Sequence, residues 1–117
     1  PWPPHCIQDT WGAAFHPDLY LPKAAIIVSK GTAFDRDAYS AFDGTGLAGW
    51  LRQRGVQRLW VGGLAEDVCV FHTVRDACEA GFQVHLLCSA TRPVFPDKEG
   101  PTLKALQEAG AQLEDIA

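Results

Sequence analysis

The sequence lacks methionine, a long apolar run and an excess of basic charge. Its formal net charge of −4 argues against the electrostatic footprint of a protein that binds nucleic acid or an anionic membrane surface. No stretch reaches the roughly 18 apolar residues of a membrane span, and no basic segment followed by an apolar one opens the chain. We therefore expect a soluble, cytoplasmic protein with neither nucleic acid nor membrane as a partner. The missing methionine fits either processing of a Met-Pro start or truncation.

The cysteines form no CxxC pair. Four are present, and their spacing is irregular: Cys6, Cys69, Cys78 and Cys88. With many core-forming residues and no export signal, this pattern favours free thiols over a disulfide framework, a zinc ribbon or a thioredoxin-type redox site.

What the sequence does contain is an alternation of extended and helical patterns. At 117 residues and 47% hydrophobic composition, residues 1–117 fit one domain. Short runs rich in apolar and β-branched residues predict strands at Leu21–Lys30, Arg58–Leu64 and Phe82–Ala90. Apolar spacing predicts helices at Gly46–Arg54, Val68–Ala80 and from about Thr102 to Ala109. The alternation predicts a doubly wound, parallel α/β sheet.

Glycines punctuate this alternation. Gly55, Gly81 and Gly110 each follow a predicted helix, where a left-handed residue can close the helix end. Each is followed by x-Gln and a new extended run. The first twenty residues, rich in Pro, Trp and His, have no clear period and predict a loop.

Two reactive side chains follow predicted strands. Ligands of an open parallel sheet bind beyond the carboxyl ends of its strands, so Lys30 and Cys69 are expected to reach one crevice if their strands are neighbours. Asp67 is expected to cap the helix that carries Cys69, and the helix N-terminus with the lysine should stabilise the thiolate. From spacing alone, a small buried cysteine on an apolar helix face is the better explanation of the position of Cys69.

Three segments resemble one family. Gly63-Leu64-Ala65-Glu66-Asp67-Val68-Cys69 is similar to the Gly-x-Ala-Thr-Asp-x-Cys segment of nicotinamidases and other isochorismatase-like hydrolases, with Glu66 in place of threonine. Lys30-Gly31-Thr32 and Tyr39-Ser40-Ala41-Phe42 resemble two further stretches of that family. Trp2-Pro3-Pro4-His5-Cys6 resembles nicotinamidases in particular.

The resemblance implies a three-layer α/β/α fold and a set of roles. Cys69 would be the nucleophile, and Lys30 would stabilise the thiolate and the charge at the reacting carbonyl. The N–H groups of Ala65 and Cys69 would form the oxyanion hole, with a cis Leu64–Ala65 peptide. Trp2 and Tyr39 would bind a pyridine or pyrazine carboxamide such as nicotinamide.

The same resemblance implies a divalent metal, which could be zinc, iron or manganese, with His5 as a ligand. The family's first strand with its catalytic aspartate, and the Asp-x-His segment that completes the metal site, have no counterpart in this sequence. Loss of the aspartate should cost at least a factor of about 10²–10⁴ in rate. The isolated chain is expected not to retain the metal.

Alternatives from other classes stay open. The chain could be an inactive α/β fragment that acts as a binding or self-associating module, or a hydrolase of another amide. A Cys69–His72 dyad, three residues apart on one helix face, is a further possibility. Because the missing strand is central in the family's sheet, an edge at Ala24–Val28 or Leu59–Gly63 should pair with the absent N-terminal segment or with another copy.

Overall fold

The computed structural model describes residues 2–32 and 37–115, and its regular structure lies mainly in the second half of the chain. The strands are β1 (Arg58–Leu64), β2 (Gln83–Arg92) and β3 (Gln112–Glu114). The helices are α1 (Leu47–Gln53), α2 (Phe71–Glu79) and α3 (Glu99–Glu108), with short helical turns at Trp11–Ala13, Glu66–Val70 and Pro96–Lys98.

The sheet is parallel, in the order β1-β2-β3. Both neighbouring pairs are joined through a helix, α2 between β1 and β2 and α3 between β2 and β3, as parallel pairing requires. The predicted α/β class with a parallel sheet is therefore confirmed.

The helix-ending glycines also behave as predicted. Gly55, Gly81 and Gly110 have φ values of 72°, 92° and 112°, in the left-handed region that follows a helix C-terminus. The strand after each of them begins within three residues.

The core lies on one face of the sheet. Val84 and Leu86 of β2 are buried there against α2 and α3, and the cluster consists of Val70, Val74, Ala77, Phe82, Val84, Leu86, Leu106 and Ala111. Side chains of a strand alternate between faces, so His85 points to the opposite face, where it stacks on Trp60 of β1. Trp60 is 55% exposed on this face.

The predicted strand at Leu21–Lys30 is wrong. The segment begins with a turn, in which the Ala25 N–H donates to the Pro22 carbonyl at 2.9 Å, and it forms no ladder with the described part of the sheet. A strand needs a hydrogen-bonded neighbour for its backbone, and an apolar run cannot supply one by itself. Ile26 and Ile27 are accordingly 64% and 66% exposed.

β1 lies at an edge of the sheet, as predicted for Leu59–Gly63.

None of the helices within the described residues has both the length and the apolar character of a membrane span.

Candidate active site at the end of β1

The turn that follows β1 presents Cys69. The Leu64–Ala65 peptide is cis, as predicted, and the Ala65 carbonyl accepts hydrogen bonds from Val68 N–H at 3.1 Å and Val70 N–H at 3.0 Å. These two bonds close the helical turn Glu66–Val70, which continues directly into α2. Cys69 therefore lies in the first turns of a helix beyond the carboxyl end of a parallel strand, where ligands of such sheets bind.

Lys30 reaches Cys69 although their segments are not adjacent strands. Lys30 Nζ donates to the Ala38 carbonyl at 2.9 Å and lies 3.6 Å from Cys69 Sγ. The ammonium thus lies between a carbonyl oxygen and the sulfur. The predicted convergence of the two side chains is confirmed, but the predicted reason, two neighbouring strands, is not.

The Tyr39–Phe42 segment is fixed on α2. The Ala41 N–H donates to Thr73 Oγ1 at 2.9 Å, and the Phe42 ring stacks on Phe82 with centroids 6.2 Å apart. Tyr39 stacks on His72, with centroids 5.5 Å apart and 21° between the planes. These contacts hold Ala38 where its carbonyl meets Lys30, so the two motifs support each other.

The contacts of His72 do not support a dyad with Cys69. Its ring lies between Tyr39 and the edge of Phe71, and its Nδ1 is 3.1 Å from Arg75 Nη2. The contact that the structure gives to the Cys69 sulfur comes from Lys30, which favours the lysine over the histidine as its partner.

The prediction that Asp67 caps the helix is wrong. Ala65 occupies the cap position, and the Asp67 carboxylate instead accepts hydrogen bonds from Val94 N–H at 2.8 Å and Phe95 N–H at 3.1 Å, in the loop after β2. Burial alone would raise the pKa of Asp67, but these two donors hold it below its usual value. The Asp67 side chain, which the local sequence pattern predicted as a helix cap, thus binds a loop that is close in space and remote in sequence.

Glu66, where the family pattern has threonine, is buried. Its side chain is 1% exposed, and neither carboxylate oxygen has a hydrogen-bond partner. Burial, then the negative charges of Glu99 and Asp67, raise its pKa, and Arg92 opposes them. A neutral acid is the form that such surroundings favour.

Trp2 and His5 lie in the N-terminal loop. Trp2 stacks on Phe95, with centroids 6.3 Å apart and 27° between the planes. His5 is exposed, and its Nδ1 lies 2.6 Å from the Pro3 carbonyl oxygen. Phe95 was not anticipated from the sequence, in which the only signal is an aromatic residue between two prolines after a strand.

The described residues do not by themselves fit a metal. Within 2–32 and 37–115, no three His, Cys, Asp or Glu side chains are grouped so that they could hold an ion. A metal site normally uses three or four protein ligands.

A helix-borne thiol beyond a parallel strand, with an ammonium beside it, is the arrangement of an α/β cysteine hydrolase. The chain belongs to the isochorismatase domain family, which matches residues 1–117. It is 40% identical over 113 residues to the nicotinamidase of Acinetobacter baylyi, an alignment that covers 92% of this chain and 52% of that protein.

Solved structures agree with this assignment. The pyrazinamidase of Pyrococcus horikoshii in complex with zinc superposes with a TM-score of 0.93 at 41% identity, covering 99% of this chain and 64% of that one. PnC1 from L. infantum in complex with nicotinate gives a TM-score of 0.92 at 38% identity, covering 98% and 61%. The chain therefore spans between half and two thirds of the length of these relatives.

Proposed function

We propose that the complete protein hydrolyses nicotinamide, or a related pyridine or pyrazine carboxamide, to the carboxylate and ammonia through a thioester on Cys69. The observation that carries the proposal is the 3.6 Å contact between Lys30 Nζ and Cys69 Sγ, formed by two motifs 39 residues apart. The relative named nicotinamidase and the nicotinate-bound structure support this class of substrate.

In the proposed reaction the Cys69 sulfur attacks the carboxamide carbon. A C–S bond forms, and the carbonyl electrons move onto oxygen, where the N–H groups of Ala65 and Cys69 stabilise them. Lys30 stabilises the thiolate before attack and the negative charge after it. The C–N bond then breaks, the nitrogen leaves with a proton as ammonia, and water cleaves the thioester to release the carboxylate and the thiol.

The thiol proton needs an acceptor that also returns a proton to the leaving nitrogen. By resemblance this is an aspartate outside these 117 residues. General acid–base catalysis contributes about 10²–10⁴ to a rate, so the isolated chain should be slower than the complete protein by at least that factor.

Trp2 and Tyr39 are the proposed substrate-binding aromatics. A flat aromatic ring suits a flat pyridine ring, and stacking favours it over an aliphatic amide. A comparison of kcat/KM for nicotinamide, pyrazinamide and an aliphatic amide tests this specificity. Faster hydrolysis of the aliphatic amide would favour the alternative, an isochorismatase-like hydrolase of another amide.

A divalent metal, zinc, iron or manganese, is proposed for the complete protein, with His5 as one ligand. The zinc-bound pyrazinamidase supports a metal in the family. Since His5 is the one motif ligand in this chain, we expect the isolated 117 residues to lose metal on dialysis against a chelator. Stoichiometric metal that disappears in His5→Ala would contradict this expectation.

The nucleophile is tested by substitution in the complete protein. Cys69→Ala should abolish turnover and keep the fold, whereas Cys78→Ala and Cys88→Ala are matched controls that should stay active. Burial raises the pKa of both control thiols, as do nearby carboxylates such as Glu79 and Asp115, respectively. Ordinary kcat in Cys69→Ala would refute the mechanism.

The role of Lys30 is testable in the isolated chain. Lys30→Met should slow the alkylation of Cys69 by iodoacetamide, because the thiolate is the reacting form. Lys23→Met, at another exposed lysine of the same segment, is the control and should leave the rate unchanged. Equal rates in both variants would remove Lys30 from the proposal.

One observation favours a second property, self-association. β1 is an edge strand, and near the exposed Ile26–Val28 segment lies an apolar groove of about 480 Å³ lined by Phe15, Leu21, Ala25, Ile26, Ile27, Val28, Leu47, Trp50 and Leu51. Unpaired edges and exposed apolar surface of this kind join other chains. We expect the isolated chain to dimerise or aggregate, and to become a compact unit when the family's N-terminal segment is added.

Sedimentation at several concentrations measures this association. A stable monomer at every concentration, with cooperative unfolding, would contradict it.

A further inference from the structure

The Trp2 ring has a neighbour that no motif assigns. Phe95 lies in the loop after β2 and stacks on Trp2 at 6.3 Å between centroids and 27° between planes, within the range of a favourable aromatic pair. On the C-terminal side of this loop, Lys98 places its ammonium 5.3 Å from the centroid of the Phe95 ring.

The loop that carries Phe95 is tied to the nucleophile turn. The Asp67 carboxylate accepts the N–H groups of Val94 and Phe95, at 2.8 and 3.1 Å, and Asp67 lies two residues before Cys69. Hydrogen bonds to a charged acceptor are among the stronger ones in proteins. The backbone of Phe95 is thereby fixed relative to the sulfur.

From these contacts we infer that Phe95 is a positioning residue, which sets the orientation of the Trp2 ring relative to Cys69. The inference rests on the proposed function, in which Trp2 stacks on the substrate ring. Phe95 acts through Trp2, and the Asp67 carboxylate acts through Phe95. The contacts thus join Trp2 to the turn that carries Cys69 through Phe95 and Asp67, although Trp2 and Cys69 lie more than sixty residues apart in sequence.

Positioning of this kind should change KM more than kcat. An aromatic pair contributes enough to change an affinity about three- to tenfold, so Phe95→Leu in the complete protein should raise KM for nicotinamide by that factor. The variant leaves Cys69 and Lys30 in place, so kcat should stay within about twofold. Phe95→Tyr should restore KM, because it keeps the ring. Tyr20→Leu, which removes an exposed aromatic ring of the N-terminal segment, is the control and should change neither constant.

A second readout does not depend on turnover. The chain has four tryptophans, and with 5-fluorotryptophan each gives a ¹⁹F resonance, of which that of Trp2 is assigned by Trp2→Phe. Phe95→Leu should move the Trp2 resonance and leave those of Trp11, Trp50 and Trp60 in place. An unmoved Trp2 resonance would overturn the inference whether or not nicotinamide is the substrate.

The kinetic outcomes separate the inference from the proposed function. A raised KM in Trp2→Ala together with an unchanged KM in Phe95→Leu would overturn the positioning role alone. A fall in kcat at constant KM in Phe95→Leu would also overturn it. Absence of nicotinamide turnover in the unaltered complete protein would refute the proposed function, and the ¹⁹F result would then decide the positioning role.

Discussion

Two apolar runs of the chain, one just before Lys30 and one in β2, differ sharply in burial. In β2, Val84 and Leu86 are fully buried against α2 and α3, whereas Ile26 and Ile27 of the earlier run are largely exposed. The composition of the two runs does not explain the difference. The later run has a hydrogen-bonded strand on each side and packs against α2 and α3, whereas the earlier one pairs with no strand among the described residues. An apolar run is therefore a requirement for a buried strand and not a sufficient cause.

The largest effect that tests this comparison is on stability. Leu86→Ala should lower the free energy of unfolding by about 2–5 kcal/mol, because it opens a cavity in the packed core. Ile26→Ala, the matched aliphatic truncation in the exposed run, should change it by less than about 0.5 kcal/mol at protein concentrations low enough to keep the chain monomeric. Urea denaturation followed by circular dichroism measures both. Equal losses would mean that the exposed run is packed in solution.

Asp67 sharpens the comparison, because its carboxylate binds the loop after β2, and Phe95 of that loop stacks on Trp2. Asp67→Asn should cost about 1–2 kcal/mol near pH 7, since it weakens two charge-assisted hydrogen bonds. The pKa of Asp67 is lowered in the folded state, so its stabilisation is present above the unfolded pKa and is lost as pH falls through the folded pKa.

The cost of Asp67→Asn should therefore shrink as the pH falls below about 3.9, the ordinary pKa of an aspartate carboxyl. Thermal unfolding at a series of acidic pH values measures it, and a cost that stays constant down to about pH 2 would contradict the linkage.

Glu66 gives the smallest effect and the opposite sign. Its buried carboxyl group lowers the stability of the packed half, because neither oxygen has a hydrogen-bond partner. Its pKa is raised in the folded state, so the folded chain binds the proton more tightly, and stability present below the unfolded pKa is lost as pH rises through the folded pKa. Glu66→Gln removes this loss.

We expect the free energy of unfolding of Glu66→Gln to exceed that of the original chain by about 1 kcal/mol near pH 8 and to equal it near pH 4. The same unfolding series measures the difference. A constant difference between the two proteins at all pH values would show that the pKa of Glu66 is the same in the folded and unfolded states, and would contradict the raised folded-state pKa.

The sequence predicted much of the packed half. The strands at Arg58–Leu64 and after Gly81, the helices before and between them, and the positive φ at Gly55, Gly81 and Gly110 all follow from local pattern, and the structure confirms them. In this region local pattern and tertiary contacts agree, because each element finds its partner within about thirty residues. Location in the cytoplasm stays a prediction.

Contacts between distant residues account for what the sequence did not predict. Aspartate is a residue type that often caps a helix, but the Asp67 carboxylate binds two N–H groups almost thirty residues later in the chain instead. The stacking of Phe95 on Trp2 joins segments that no spacing rule connects. The approach of Lys30 to Cys69 was predicted from two neighbouring strands; the contact is present, but those sheet neighbours are absent from the described structure.

The central claim is that Cys69 forms a covalent intermediate with a carboxamide. The most direct measurement is rapid acid quenching of the complete protein with nicotinamide, followed by peptide mass spectrometry. We expect a nicotinoyl thioester on the peptide that contains Cys69, absent in Cys69→Ala and present in Cys78→Ala. Turnover with the adduct on another residue, or undiminished turnover in Cys69→Ala, would contradict the account.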